Sequence, residues 1–161
     1  MEVLKGYLLW PLVTLFGYIR FLVGIILCFP YLLRYYLQGK RSFRYIDVWN
    51  LLNRCYLGTY VFSAYAVFVN PFSGCINPLV TSFRISHCEA SIHDYPWLRN
   101  TYNCIHAAVI ANLGEFASSM CMLSTLQTYR HLQGIPVGME MEYYKHARGP
   151  LTVKAVAVLE V

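Results

Sequence analysis

Asn100, His106 and Glu115 are the residues whose types and spacing invite a chemical reading. They lie in the run Asn-Thr-Tyr-Asn-Cys-Ile-His-Ala-Ala-Val-Ile-Ala-Asn-Leu-Gly-Glu, residues 100–115. A polar, turn-prone loop leads into a His, then two alanines, then an apolar run. This order predicts a helix N-terminus, whose first N–H groups have no partner inside the helix and can polarise a carbonyl or hold an anion. Glu115 is the only charged residue between His106 and Leu126. A lone carboxylate in an apolar helix is costly to bury, so it needs a partner or a task. Nine residues of helix put His106 and Glu115 on opposite sides, roughly 13 Å apart along the axis. They cannot form a catalytic pair within one chain. If both act, one copy supplies the loop and a second copy the acid.

Asn100, His106, the pair Ala107 and Ala108, Leu113 and Glu115 resemble the central motif of the hot-dog-fold thioesterases. The similarity is to an uncharacterised thioesterase-like branch related to the phenylacetate-pathway enzymes. Two flanking segments extend it: Asn70-Pro71-Phe72-Ser73-Gly74 upstream, and Glu142 to Gly149 downstream. Together they cover about residues 60–161. The resemblance implies an α+β hot-dog fold, a long central helix wrapped by an antiparallel sheet, with the active site formed across a dimer interface. It also implies hydrolysis or binding of an acyl thioester such as acyl-CoA. Glu115 would be the base or nucleophile, with His106 and Asn100 orienting loop and substrate. The backbone at Ala107, Ala108 and Asn103 would bind the oxyanion or substrate; neither a metal nor a cofactor is implied.

The chain departs from the pattern at three places. Relatives commonly have Gly where Asn103 stands, although Asn tolerates a left-handed backbone. The better-studied enzymes carry Gly-Gly where this chain has Ala107-Ala108, and each Cβ narrows the approach to the backbone donors. After the helix, only Ile135–His146 and Leu151–Val161 read as strands, about two fewer than a full hot-dog sheet needs.

The elements that must position these residues follow from the pattern of the chain. Asn77–His93 alternates and predicts a first strand with His87, Glu89, Ser91 and His93 on one face. A loop spans 94–104, and the helix runs from about Ile105 to Leu126. Ala107, Ala111, Gly114 and Ser118 form a small-residue stripe along it that admits close approach of another element. Cys55–Val69 is uncharged, too short to span a bilayer, and ends at Asn70-Pro71, a helix stop. It predicts a helix packed on the sheet or lying at a membrane surface.

Ahead of this domain, from Gly6 to Leu33, the only charged side chain is Arg20. That length suffices for a bilayer, which takes about 20 residues. Pro11, Pro30 and the central Arg20 leave a re-entrant anchor or a helix among other membrane subunits as alternatives to a span. Arg34, Lys40, Arg41, Arg44 and Arg54 follow it, a placement that favours the cytosolic or matrix side for the rest of the chain. The organisation expected is a hydrophobic membrane segment over 1–37, a basic linker over 38–54 and an incomplete hot-dog domain over 55–161.

Hydrophobic residues make up 57% of the 161 and charged residues 13%, a low share of charge that suits a membrane setting. The net charge of +5 is modest and the aromatic residues are not interleaved with basic ones, which argues against a nucleic-acid partner. The six cysteines are widely spaced without a Cys-x-x-Cys, as for free thiols in a reducing compartment. Two classes of function follow. One is a membrane-associated acyl-thioesterase with membrane lipid and a second copy as partners. The other is a catalytically silent accessory subunit of a membrane complex, such as a respiratory complex or ATP synthase of the mitochondrial inner membrane, whose other subunits complete the sheet.

Overall fold

The computed structural model describes residues 44–129 and 132–158, with eight isolated positions between Leu15 and Leu37. Those eight are helical and exposed; otherwise the expected membrane segment and the first part of the linker lie outside the described residues. Among the described residues, one helix is long and apolar enough to cross a membrane, and it is the partly buried helix that packs on the sheet.

The chain enters through two short helices, α1 (Tyr45–Leu52) and α2 (Gly58–Val69). The first occupies residues expected to belong to a linker. Val48, Trp49 and Leu52 recur at helical spacing and are buried, so they pull this stretch into the core. Trp49 meets Phe62 of α2 edge-on, with ring centroids 5.0 Å apart, and Phe83 at 6.2 Å. A 3-10 turn over Pro71–Ile76 leads from α2 towards the sheet.

The stretch expected to be one strand is a hairpin: β1 (Leu79–Arg84) and β2 (His87–Ile92), antiparallel. The sequence between them holds no Gly, Pro or Asn to announce a turn. Ser86 takes the left-handed position at φ 58°. Its N–H donates to Ser124 Oγ at 3.1 Å, and its hydroxyl lies 3.1 Å from Thr125 Oγ1. Tertiary bonds from the long helix therefore hold a turn that local propensity does not demand.

That helix, α3 (Ala107–Leu126), packs against β2 and β3 (Leu151–Val156). The sheet order is β1-β2-β3, all antiparallel. Cys88, Ala90 and Ile92 of β2 are buried on the inner face, whereas His87, Glu89 and Ser91 share the outer face, as the alternation predicts. Phe62, Phe83 and Phe116 are the largest fully buried side chains.

Residues 132–147 differ from expectation. Ile135–His146 was to be a strand, but no ladder forms there. Instead the segment passes along α3: an added Cβ on Gly134 would meet Met122, Met141 approaches Gly114, and the Tyr143 hydroxyl donates to Ala107 O at 3.2 Å. Its apolar alternation, Ile135, Val137, Met139, is exposed, and among the described residues no strand pairs with it. The α+β arrangement, one long helix on a three-stranded antiparallel sheet, is compatible with a hot-dog-like fold.

Candidate functional site

Asn100 builds the loop before α3. Its Oδ1 accepts from the Tyr102 N–H at 2.9 Å, more weakly from the Cys104 N–H at 3.4 Å, and from the Cys104 thiol at 3.3 Å. The backbone closes the same turn, with Asn100 N–H donating to Cys104 O at 2.8 Å and an Arg99–Ile105 bridge beneath it. Asn103 sits at φ 55°, a left-handed position that Asn adopts more readily than most residues.

The loop is tied down from outside by a residue that sequence reasoning missed. Asp94 accepts from Arg99 Nε at 2.8 Å and from the Gly149 N–H at 2.7 Å. The Arg99 hydrogen bond, with help from the Gly149 N–H, holds the Asp94 carboxyl below the usual carboxylate range despite partial burial. Ile105 N–H donates to Ala147 O at 2.9 Å and His106 N–H to Leu98 O at 2.8 Å. Thus the Asp94 carboxylate and the Ile105–Ala147 bond fasten the loop before α3 to the turn before β3, and the His106–Leu98 bond ties the helix start to the loop itself. An acid two residues before Pro96 gives no motif; only its reach across to Gly149 reveals the role.

His106 is the N-cap of α3, with Nδ1 accepting the Ala108 N–H at 3.0 Å. Accepting through Nδ1 places the proton of the neutral ring on Nε2. His106 O takes the N–H groups of Val109 and Ile110. Of the two backbone donors expected at Ala107 and Ala108, the second is therefore engaged by the cap. Ala107 N–H has no protein acceptor among the described residues.

A pocket of about 240 Å³ opens at this helix end. His106, Ala108, Val109 and Asn112 line it from α3, Trp97 and Arg99 from the loop, and Phe72 and Cys75 from the 3-10 turn. Asn112 is buried; its Nδ2 reaches Cys75 Sγ at 3.6 Å, while its Oδ1 has no hydrogen-bond partner. An unpaired buried acceptor of this kind costs about 1–3 kcal/mol, so it marks a place where a donor belongs. In the sequence Asn112 is one more residue of the helix. The available signal was its spacing, four residues after Ala108 and three before Glu115, which puts all three on one face.

Glu115 is half-buried and accepts from the Ser119 hydroxyl at 2.7 Å. It does not line the pocket, so His106 and Glu115 are not brought together within the chain. The small residues Ala107, Ala111, Gly114 and Ser118 lie on the exposed and half-exposed side of α3. A second pocket, about 250 Å³, lies between α3 and β3 and is lined by Ile110, Leu113, Gly114, Met141 and Leu151 among others. Among the described residues no group of three His, Cys, Asp or Glu could hold a metal ion.

The sequence profile of the family described as a domain of unknown function (DUF4442) matches residues 58–160. The chain belongs to that family. One solved structure, described only as a crystal structure of the genomics target APC5556, is similar in fold. The likeness has a TM-score of 0.60 at 21% identity, over 70% of this chain and 74% of that one. No curated protein is significantly similar to the chain. The matched family begins at the first residue of α2 and takes in the whole of the loop, α3 and β3.

Proposed function

We propose that this hot-dog-like domain binds an acyl thioester, of which acyl-CoA is the common form, at the N-terminus of α3 and hydrolyses it between two copies of the chain. The observation that carries the reading is the pocket at that helix end, with the unpaired Asn112 Oδ1 in its wall and the free Ala107 N–H beside it. The thioester carbonyl lies at Ala107 N–H and at the outward Nε2–H of His106, which together take the negative charge that develops on its oxygen. Donors fixed before the reaction are the largest stabilising effect such a site offers. Asn112 Oδ1 accepts an N–H of the carrier arm; pantetheine carriers present amides next to the thioester. Asn100 and Asn103 act indirectly, by holding the turn that aims His106.

The acid comes from the second copy. Ala108, Asn112, Glu115 and Ser119 share one face of α3, whose outer side is lined with small residues. An antiparallel partner helix on that side sets Glu115 of the partner subunit near the first chain's Ala107. There it takes a proton from water as the water oxygen attacks the carbonyl carbon. The C–S bond then breaks, and the departing thiolate recovers the proton. The test is acyl-CoA hydrolysis by the detergent-purified chain against Glu115→Ala, with the native mass recorded. Hydrolysis lost in the variant while both remain dimeric supports the reading; equal rates sink it.

A catalytically silent accessory subunit of a membrane complex is the competing reading. It is favoured by the exposed apolar alternation of Ile135, Val137 and Met139, and by the half-buried inner row of the edge strand β3, Leu151, Val153 and Ala155. Both are surfaces that another polypeptide would cover. Co-purifying membrane subunits and no hydrolysis at any chain length would decide for it.

A further inference from the structure

From Cys55 to Phe83 the sequence holds no Asp, Glu, Lys or Arg, and within this stretch Tyr56, Phe68, Val69 and Phe72 are exposed. Gly58, Val61, Phe62, Ser63 and Ala66 bury one side of α2. The other side carries no polar face to meet water. Phe68 and Val69 lie on it near the helix end, Tyr56 precedes the helix, and Phe72 continues the row past it. Tyr56 is 98% exposed, Phe68 74% and Phe72 76%. A helix apolar all round is normally covered on all sides, by protein or by lipid. Among the described residues, protein covers this one on one side, and Tyr56, Phe68 and Phe72 stay exposed.

Three features identify the missing cover as a bilayer interface. Aromatic side chains dominate the exposed row, the composition that settles at the level of lipid headgroups. Arg34, Lys40, Arg41 and Arg54 precede the uncharged stretch in the sequence and suit anionic headgroups. Upstream of them, seven of the eight described positions between 15 and 37 are large exposed apolar residues on helix, from Leu15 to Leu37.

Phe72 belongs both to this exposed row and to the wall of the pocket at the start of α3. The mouth of the candidate site is therefore continuous with the apolar surface. We infer that the α2 face from Tyr56 to Phe72 docks on an anionic bilayer, and that the pocket beside it takes a long-chain acyl thioester directly from the lipid phase. The substrate class rests on the acyl-thioester reading; the docking does not. A short, water-soluble acyl group gains nothing from this surface, whereas a long chain passes from lipid to pocket without crossing water.

The experiment uses the full chain carrying Phe68→Trp or, as a control, Val137→Trp at a fully exposed position on the segment along α3. Each is mixed with vesicles of anionic and brominated phosphatidylcholine lipids, and the wild-type emission is subtracted. The added Trp at position 68 is expected to be quenched at least about twofold and to shift to the blue, as for a side chain set into the interface. The Trp at 137 is expected to be unaffected. An unquenched Trp at 68 overturns the docking, and a doubled native mass would then identify a second copy as the cover. In a second arm, Phe68→Ser is expected to raise KM roughly tenfold for a palmitoyl thioester dissolved in vesicles, the effect of losing one buried aromatic ring, and to leave an acetyl thioester in solution unchanged. Equal effects on both overturn delivery from lipid. Quenching at 68 without turnover of either thioester by wild type removes the acyl reading and leaves the docking in place.

Discussion

Replacing Asp94 by Asn tests whether the loop that aims His106 is held from outside, as the geometry requires. The carboxylate takes two short bonds, Arg99 Nε at 2.8 Å and Gly149 N–H at 2.7 Å, and its side chain is only 10% exposed. An amide keeps one acceptor oxygen, so one of the two donors is left facing an NH2 group. The Arg99 side chain is about a third exposed, at 32%, and its share is discounted for solvent to about 0.5–1 kcal/mol. The Gly149 N–H bond to a charged oxygen contributes about 1.5–2 kcal/mol. Because the remaining oxygen keeps one donor, Asp94→Asn should cost about 1–2 kcal/mol, roughly 0.5–1 M in urea midpoint for a slope of about 2 kcal/mol/M. The pH dependence follows from the direction of the shift. The carboxyl titrates lower in the folded protein than the unfolded value of about 3.9, so its contribution is complete above that pH. It is lost as pH falls through the lower, folded value. Urea unfolding followed by fluorescence should give a constant gap between wild type and variant from neutral pH down to about pH 4, narrowing below. A gap under about 0.5 kcal/mol at neutral pH, or one that does not narrow in acid, refutes the strut.

Two further predictions concern the frame around the site. Gly58→Ala places a Cβ 1.5 Å from Leu52 O and 2.3 Å from Leu52 C, backbone atoms that no rotamer change can move. It should cost at least about 3 kcal/mol and expose the amides of α1, read by hydrogen exchange; a loss under about 1 kcal/mol would show that the α1–α2 junction yields. Burial pushes the Cys88 thiol up to about 12, with Cys121 beside it adding to the effect, while Cys75 is exposed. Iodoacetamide at pH 8 followed by peptide mapping should modify Cys75 long before Cys88; equal rates would contradict the buried core around β2.

The helix was the most legible element because its signals agree: a turn-prone loop, a capping side chain and a long apolar run. Its observed start, Ala107, lies two residues from the expected Ile105, since Ile105 is held by Ala147 and His106 serves as the cap. The face shared by His87, Glu89 and Ser91 was legible from alternation alone. The hairpin turn at Ser86 was not, because the bonds that hold it come from Ser124 and Thr125, far along the chain. Ile135–His146 has a strand's pattern but, among the described residues, no strand to pair with, and alternation alone does not reveal whether a neighbour exists. At the site, Asn100 and Asn103 were legible as turn residues, whereas Asp94, Asn112 and Cys75 act through contacts across 37 to 55 residues of sequence.

The central claim is that one copy supplies the α3 N-terminus and another the acid. The direct measurement is complementation between two inactive variants, His106→Ala and Glu115→Ala, unfolded together, refolded as a one-to-one mixture and assayed for acyl-CoA hydrolysis. In a mixed dimer one site carries both changes and the other carries neither. Random pairing should therefore restore about a quarter of wild-type activity from two preparations that have none alone. Activity that stays absent in a mixture shown by native mass to contain mixed dimers would contradict a site shared between copies.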